Sequence, residues 1–475
     1  MSSEEIPNLI GGEARPAASG EWLDKLRPAD GTLLGRLARS GAEDVAAAVA
    51  AARAAQPDWA ARTPVERGDV VREIALALRE RREELAALVV EETGKPLELA
   101  LGEADAAVEM GFFVAGEGRR SYGRTMPASM PHRTVLTVRR PVGVAALIAS
   151  FNTPLPNLAW KAFPALLCGN AAVFKPSEHV PASANEFATV CYEAGVPGAV
   201  LNLVHGLGAE AGAALVDHPE VDLVSFTGSA ATGRWIAERA GRRLAKVCLE
   251  LGGKNALVVC DDADLDGAVR WAVASAFSNA GQRCAAGSRI VVFESVYEAF
   301  RAGLAAAAGG LQPEIVVSRE SRDRIVAALE RAVAAGARVV AGSSTPPAGP
   351  GFGLRPTILE AVPSDAEISH SELFGPVAVL YRVTDLAEAI ALVNDSPYGL
   401  TAAIHTASVH RAMRFADEAR AGVVVVNGGT HGSEPHMGFG GVKSSGNGWK
   451  EAGVEALEVY SDVRYVNIVA DPARV

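Results

Sequence analysis

From residue 133 onward the chain keeps one rhythm: a short, almost wholly apolar segment, then a longer helical one. VGVAALIAS, NAAVFKPS, VLNLVHG, VDLVSFTGS and AKVCLELGG each precede or follow a helical pattern such as SANEFATVCYEAG. A strand that is apolar at every position must be covered on both faces, the condition of a parallel sheet flanked by helices. The rhythm resumes after residue 255 with NALVVCD, DLDGAVRWAVASAF, SRIVVFES, PVAVLYRV, LTAAIHT and GVVVVNG. The chain is therefore predicted to be α/β, with two such units in series that meet near residues 250–254. Its 475 residues suffice for two or three units of ~150 residues.

The flanks read differently. The first hundred residues are predicted helical. Ser40-Gly-Ala-Glu43 has the form of a capping box ahead of an alanine-rich run, and Thr63-Pro64-Val65-Glu66 repeats it with Pro at the first helical position. Gly94 is a natural left-handed helix stop. TVLTVRR near residue 134 and the tail LEVYSDVRYVNIVA alternate as strands, the tail as an edge or exchanged one. GSSTPPAGPGFG is loop by its Pro and Gly content.

Composition excludes several partners. A net charge of −11 argues against nucleic acid and anionic membrane, both of which require a basic surface. MSSEEIPNLIGGE lacks the apolar segment of a signal peptide, and no apolar run approaches the ~18 residues that span a bilayer. Five cysteines, an odd count without CxxC spacing, predict neither a disulfide framework nor a zinc site. The expected location is cytoplasmic.

Four segments carry candidate chemistry. FSNAGQRCAAG, residues 277–287, holds Cys284, which reads as an inert buried thiol or, given a suitable setting, a nucleophile. FTGSAATG, residues 226–233, runs from a strand into a glycine-bounded helix start where backbone N–H groups can approach a pyrophosphate. Its spacing is not GxGxxG, and a plain βα turn explains it equally. LELGGKN, residues 249–255, ends an apolar strand with Glu250, either an exposed carboxylate or a base raised by apolar surroundings. IASFNTPLPN, residues 148–157, places Asn152 in a turn, as a turn former or as an amide donor to an oxyanion.

FNTP, FKPSE, FTGSAATG, LELGGKN, NAGQRC, ELFGPV, SPYGLTA and FGGVKSSGNG occur in the order and approximate spacing of the NAD(P)-dependent aldehyde dehydrogenase superfamily, which the chain resembles over nearly its whole length. The resemblance implies two doubly wound parallel-sheet domains and a small β arm for oligomer contacts. The dinucleotide-binding domain would span 1–124 and 144–250, the catalytic domain 251–456, and the arm 125–143 and 457–475. It implies Cys284 as nucleophile, Glu250 as the base for the deacylating water, Asn152 with the Cys284 N–H as oxyanion hole, and Lys161 as a proton relay. It implies Lys175 and Glu178 at the adenosine ribose and Gly228, Ser229 and Gly233 at the pyrophosphate. Glu372 and Phe374 would meet the nicotinamide ribose and ring, with Ala149, Ser177, Gly208, Phe226 and Leu251 completing the cofactor site. The expected cofactor is NAD, with NADP less preferred; the expected partners are a small aldehyde and further copies of the chain, as homodimer or homotetramer. No metal is expected.

Departures from the family pattern are also legible. Phe151 replaces the usual Trp, Gly438 stands where Pro is common, and Lys450 occupies a position often held by Glu, with Glu451 beside it. After GLQPEIVVSRES the usual Gly-Asp-Pro and Gly-Pro stretch is absent, so Cys284 and Glu372 lie only 88 residues apart. Two alternatives are a CoA-acylating relative, which generally lacks the base at Glu250, and a non-catalytic member. Arg283, beside the nucleophile, and His431 and His436, in GGTHGSEPHMGFG, favour a polar or carboxylated aldehyde if they face the tunnel.

Overall fold

The computed structural model describes residues 4–470 and Ala473. The apolar segments become the centres of two seven-stranded sheets. In the first, Lys246–Leu251, Leu223–Gly228, Val144–Ile148, Ala171–Lys175 and Leu201–Leu203 run parallel in that order. In the second, Thr357–Glu360, Val377–Val383, Gly287–Phe293, Asn255–Val259, Thr401–His405 and Val423–Val426 run parallel, with Arg338–Ala341 antiparallel at one edge. Val144–Ile148, Ala171–Lys175 and Asn255–Val259 are buried at every position, as strands without polar alternation must be. Helices cover both faces: Ala42–Ala61 and Pro154–Leu167 are among those on the first sheet, Leu265–Phe277 and Leu386–Asn394 among those on the second.

A third sheet joins Thr125–Met126, Arg133–Pro141 and Ser461–Val469, antiparallel throughout. Residues 471, 472, 474 and 475 of the expected arm, and 1–3 of the expected cofactor domain, lie outside the described residues.

The N-terminal expectation needs correcting. Among the described residues before the first helix the chain makes five strands: Glu4–Ile6, Asn8–Ile10, Glu13–Arg15, Trp22–Leu26 and Leu33–Ala38. The first three have three residues each, too few to register a period. The last two form a hairpin around Asp30-Gly31, a turn signal flanked by alternating residues. The first helix cap also lies one residue later than expected. Asp44 accepts the Gly41 N–H at 3.1 Å, because the Ser40 hydroxyl is taken by buried Asn8 at 3.0 Å. The second cap is as the sequence reads: Thr63 and Glu66 exchange bonds around Pro64, and Gly94 closes Arg82–Thr93 at φ +76°.

Candidate active site

In the first sheet the chain passes from Val144–Ile148 outward on one side, then returns to build the other. A reversal of this kind opens a crevice at the carboxyl ends of the strands, where nucleotides bind in open α/β sheets. Ala149 and Lys175 end two neighbouring strands, joined by the Ala149 N–H to Lys175 oxygen bond at 3.3 Å. Lys175 is buried and meets the Glu178 carboxylate at 3.5 Å; the Ser177 hydroxyl accepts the His179 N–H at 3.3 Å. Gly208 opens the turn Gly208–Gly212, and nothing lies within 4 Å of where its Cβ would be. Ser229 caps Ala230–Gly241 by accepting the Thr232 N–H at 3.2 Å.

Glycines keep this helix start bare. A Cβ on Gly228 would lie 2.4 Å from the Phe226 ring, and one on Gly233 would lie 2.5 Å from Leu251. A capped, glycine-flanked helix start at the carboxyl ends of parallel strands has the donors a pyrophosphate needs, so these residues fit a dinucleotide.

Cys284 lies just before Gly287–Phe293, at the amino end of the second sheet. Its loop enters through three consecutive left-handed residues, Asn279, Ala280 and Gly281, at φ +57°, +55° and +64°. Asn255 fastens the loop from below: its Nδ2 donates to the Cys284 oxygen at 2.8 Å and the Ala286 oxygen at 2.9 Å, while its Oδ1 accepts the Thr401 N–H at 3.0 Å. The two glycines of LELGGKN follow from this crowding. A Cβ on Gly253 would lie 2.5 Å from the Cys284 oxygen, and one on Gly252 would lie 1.8 Å from Glu372 Oε2. The Gly253 N–H donates to Glu372 Oε1 at 3.0 Å. Phe374, at φ +57°, meets Phe151 edge-on at 5.7 Å, so the aromatic swap at 151 retains a ring contact.

Asn152 is buried, and its side-chain oxygen accepts from Asn157 at 3.3 Å. Its backbone oxygen accepts from Lys95 at 2.8 Å and from Asn279 at 2.9 Å. These bonds hold the residue from chain segments on either side of the 250–254 junction, and among the described residues its Nδ2 donates to no protein group.

Glu250 is the last residue but one of Lys246–Leu251, with both carboxylate oxygens buried and, among the described residues, without a partner. Burial, then the neighbouring Glu451, raises its carboxyl well above the ordinary range; Lys161 and Lys450 pull the other way. The Lys161 ammonium, fully buried, pairs with Glu451 and donates to the Ser225 hydroxyl at 3.0 Å, which donates to Glu451 at 3.1 Å. The second carboxylate beside Lys161 is therefore Glu451, set by antiparallel pairing of Phe439 with Glu451, while Lys450 turns to the Gly440 oxygen.

The Cys284 thiol is pushed up to about 12 by burial, then by the Glu372 and Glu250 carboxylates, with Arg283 opposing. A protonated thiol needs an acceptor to become the reactive thiolate. Burial likewise raises Glu372 to about 7. The Arg283 guanidinium makes no ion pair among the described residues, and its Nε is buried without a partner. His431 is held near 4 by burial, then by Arg283, so the loop 428–440 brings this histidine near the residue that precedes Cys284. His436 stands apart, exposed, 3.6 Å from Glu434.

Sequence reasoning missed Lys95, Glu103, Ser225, Asn255 and Asn279. Asn255 was within reach, as the last residue of LELGGKN. The buried Lys95–Glu103 pair, tied to the Asn152 oxygen through Lys95, had no spacing signal, because its members are not three or four residues apart on one helix face.

A thiol and an unpaired carboxylate between a nucleotide crevice and a second sheet have the makings of an oxidoreductase acting on a carbonyl. A profile described as "Aldehyde dehydrogenase family" matches residues 15–466, and the chain belongs to that family. It is accordingly an NAD(P)-dependent aldehyde dehydrogenase. It is 38% identical to succinate-semialdehyde dehydrogenase [NADP(+)] of Escherichia coli (strain K12), covering 97% of each chain. It is 34% identical to alpha-ketoglutaric semialdehyde dehydrogenase of Bacillus subtilis (strain 168), again over 97% of each. The crystal structure of betaine aldehyde dehydrogenase from Staphylococcus aureus in complex with NAD+ superposes with a TM-score of 0.95 at 33% identity, covering 98% of this chain and 95% of that one. Among the described residues no helix is long and apolar enough to cross a membrane.

Proposed function

We propose that the chain oxidises an aldehyde to a carboxylic acid through an acyl group carried on Cys284, released by water that Glu250 activates. The observation that carries this reading is the Glu250 carboxylate: buried, unpartnered, and in electrostatic reach of the thiol. Cys284 Sγ attacks the carbonyl carbon as its proton passes to a neighbouring carboxylate. The oxygen that gains charge is met by Asn152 Nδ2 and the Cys284 N–H. Ala149, Lys175, Ser177, Glu178, Gly208, Phe226, Gly228, Ser229, Gly233, Leu251, Glu372 and Phe374 would hold NAD, which would supply the hydride acceptor when bound. The thioester left on Sγ is hydrolysed by water whose proton Glu250 accepts. Glu451 and Lys161, in contact with each other behind Glu250, offer that proton a way onward. This base favours hydrolysis over transfer to CoA.

The finer assignments are part of the same proposal. The first sheet with 1–124 and 144–250 forms the cofactor domain, 251–456 the catalytic domain, and 125–143 with 457–475 the arm. NAD is preferred to NADP because the Glu178 carboxylate suits ribose hydroxyls and repels a 2′-phosphate. The substrate carries a polar or carboxylate end toward Arg283, a reading that two relatives named for semialdehydes support. The chain acts in the cytoplasm as a homodimer or homotetramer. Support for assembly comes from two unpaired strand edges, Val423–Val426 and Ser461–Val469, which expose Val426, Val463, Tyr465, Ile468 and Val469.

The test is Cys284→Ala assayed for NADH formation with a panel of aldehydes. Turnover should vanish in the variant while NAD affinity stays near normal. A tenth of wild-type turnover remaining, by an order-of-magnitude criterion of about 10%, would overturn the assignment.

A further inference from the structure

Residues 310–318, within the GLQPEIVVSRES segment, run against the loop that carries the nucleophile. Glu314 begins the two-residue strand Glu314–Ile315, paired antiparallel with Gly353–Leu354. Its carboxylate accepts the N–H of Ala280, four residues before Cys284. Ala280 is the middle of the left-handed run, and left-handed backbone costs a non-glycine residue about 1–2 kcal/mol. Two such residues in succession, Asn279 and Ala280, therefore need support from outside the loop.

That support is a connected set of bonds. Glu314 holds Ala280 N–H, and the Val317 N–H donates to Gln282 Oε1 at 3.0 Å. The Asn279 amide then reaches the Asn152 oxygen at 2.9 Å and the Gln282 oxygen at 3.3 Å. Gly281 fixes the turn on its other side, since a Cβ there would lie 2.2 Å from the Gly375 oxygen. Among the described residues no cation pairs with Glu314, so its carboxylate is committed to the loop.

We infer that Glu314 is a positioning residue: its carboxylate holds the left-handed turn that aims Cys284 and couples that aim to Asn152. This rests on the reading of Cys284 as nucleophile and Asn152 as oxyanion donor. Acylation, the step both residues serve, is the step that depends on Glu314. Cofactor affinity does not, because Glu314 lies on the nucleophile's side of the site.

The experiment compares wild type, Glu314→Gln and Glu314→Ala of the full chain. The readouts are the NADH burst rate at saturating NAD and aldehyde, the rate of iodoacetamide labelling at Cys284 followed by peptide mass, NAD affinity and Tm. Glu314→Ala should slow burst and labelling at least ~10-fold, since ~1 Å misplacement of reacting groups can cost about 100-fold, with NAD affinity within about twofold. Glu314→Gln, whose amide oxygen can accept the same bond, should stay within about threefold of wild type. If the Ala chain does not fold, Glu314→Met keeps the volume without the acceptor and takes its place. A wild-type burst in the Ala or Met variant overturns the inference, as does a Gln variant as slow as Ala. Turnover surviving in Cys284→Ala would overturn the underlying reading instead, so the two failures are distinct.

Discussion

Glu250→Gln removes one proton acceptor and leaves the shape of its site. Both carboxylate oxygens are buried and unpartnered, so the amide breaks no existing protein hydrogen bond. What it removes is the proposed base, and a positioned general base contributes about 100- to 10,000-fold to a proton transfer. The loss should fall on hydrolysis: stopped-flow traces should show a rapid NADH burst near one equivalent per site, then a steady state at least ~100-fold below wild type. A steady state within about threefold of wild type would refute the reasoning. Loss of the burst would move Glu250 to the earlier step of thiol activation.

The same substitution has a thermodynamic signature. Burial first, and Glu451 second, hold the folded carboxyl well above its unfolded value. Proton binding at Glu250 therefore stabilises the fold fully below the unfolded value of ~4.3, and that contribution is lost as pH rises through the folded value. Each unit of upward shift is worth about 1.4 kcal/mol. Glutamine does not titrate, so the Tm of Glu250→Gln relative to wild type should climb from pH 5 to pH 8. Wild-type steady-state turnover should rise over the same interval, because only the carboxylate accepts a proton. A flat Tm difference would remove the case for a buried, raised carboxyl.

NAD should exceed NADP in kcat/KM by at least ~10-fold in the wild type, since a close like-charge pair costs a few kcal/mol at an effective dielectric near 20. Glu178→Ala should narrow that ratio, and an unchanged ratio would show that Glu178 is not its cause. At the exposed edges, Val426→Asp and Tyr465→Asp should each lower the assembly mass measured by light scattering while far-UV CD is retained. An unchanged mass in both would place the interface elsewhere.

The sheets were legible because a strand covered on both faces must be apolar throughout, and that rule needs no knowledge of partners. The N-terminal strands failed the same reading because Asn8–Ile10 and its neighbours are too short to show a period. Gly252 and Gly253 were visible as glycines, but their reason was not. It depends on Glu372 and Cys284 arriving from distant parts of the chain to occupy the space of the missing side chains. Glu451 illustrates the same limit: sequence placed it one residue from the relay position, and strand pairing with Phe439 brings it to Lys161. Glu314 is not legible in the sequence, because a backbone N–H as partner leaves no trace in residue types.

Arg283 offers the sharpest route to the substrate. It follows Gln282 and precedes Cys284, so its backbone is fixed with the loop of the proposed nucleophile, while its guanidinium finds no carboxylate among the described residues. Its electrostatic neighbours include the buried Lys95–Glu103 pair, whose charges already answer each other, and His431, held near 4 and so neutral at physiological pH. A cation left over beside Cys284 is matched, on this proposal, by an anion brought in by the substrate. A charge-assisted hydrogen bond of this kind is worth about 1.5–3 kcal/mol, or roughly 10- to 150-fold in kcat/KM. The measurement pairs a four-carbon aldehyde bearing a terminal carboxylate with the neutral alkanal of the same length, in wild type and Arg283→Ala. The carboxylated aldehyde should lose at least ~10-fold in the variant, chiefly through KM, because the tail is bound alike before and during reaction. The alkanal should change by less than about threefold. Equal losses for both would mean that Arg283 serves the loop rather than the ligand, and a wild type indifferent to the carboxylate would end the case for an anionic substrate.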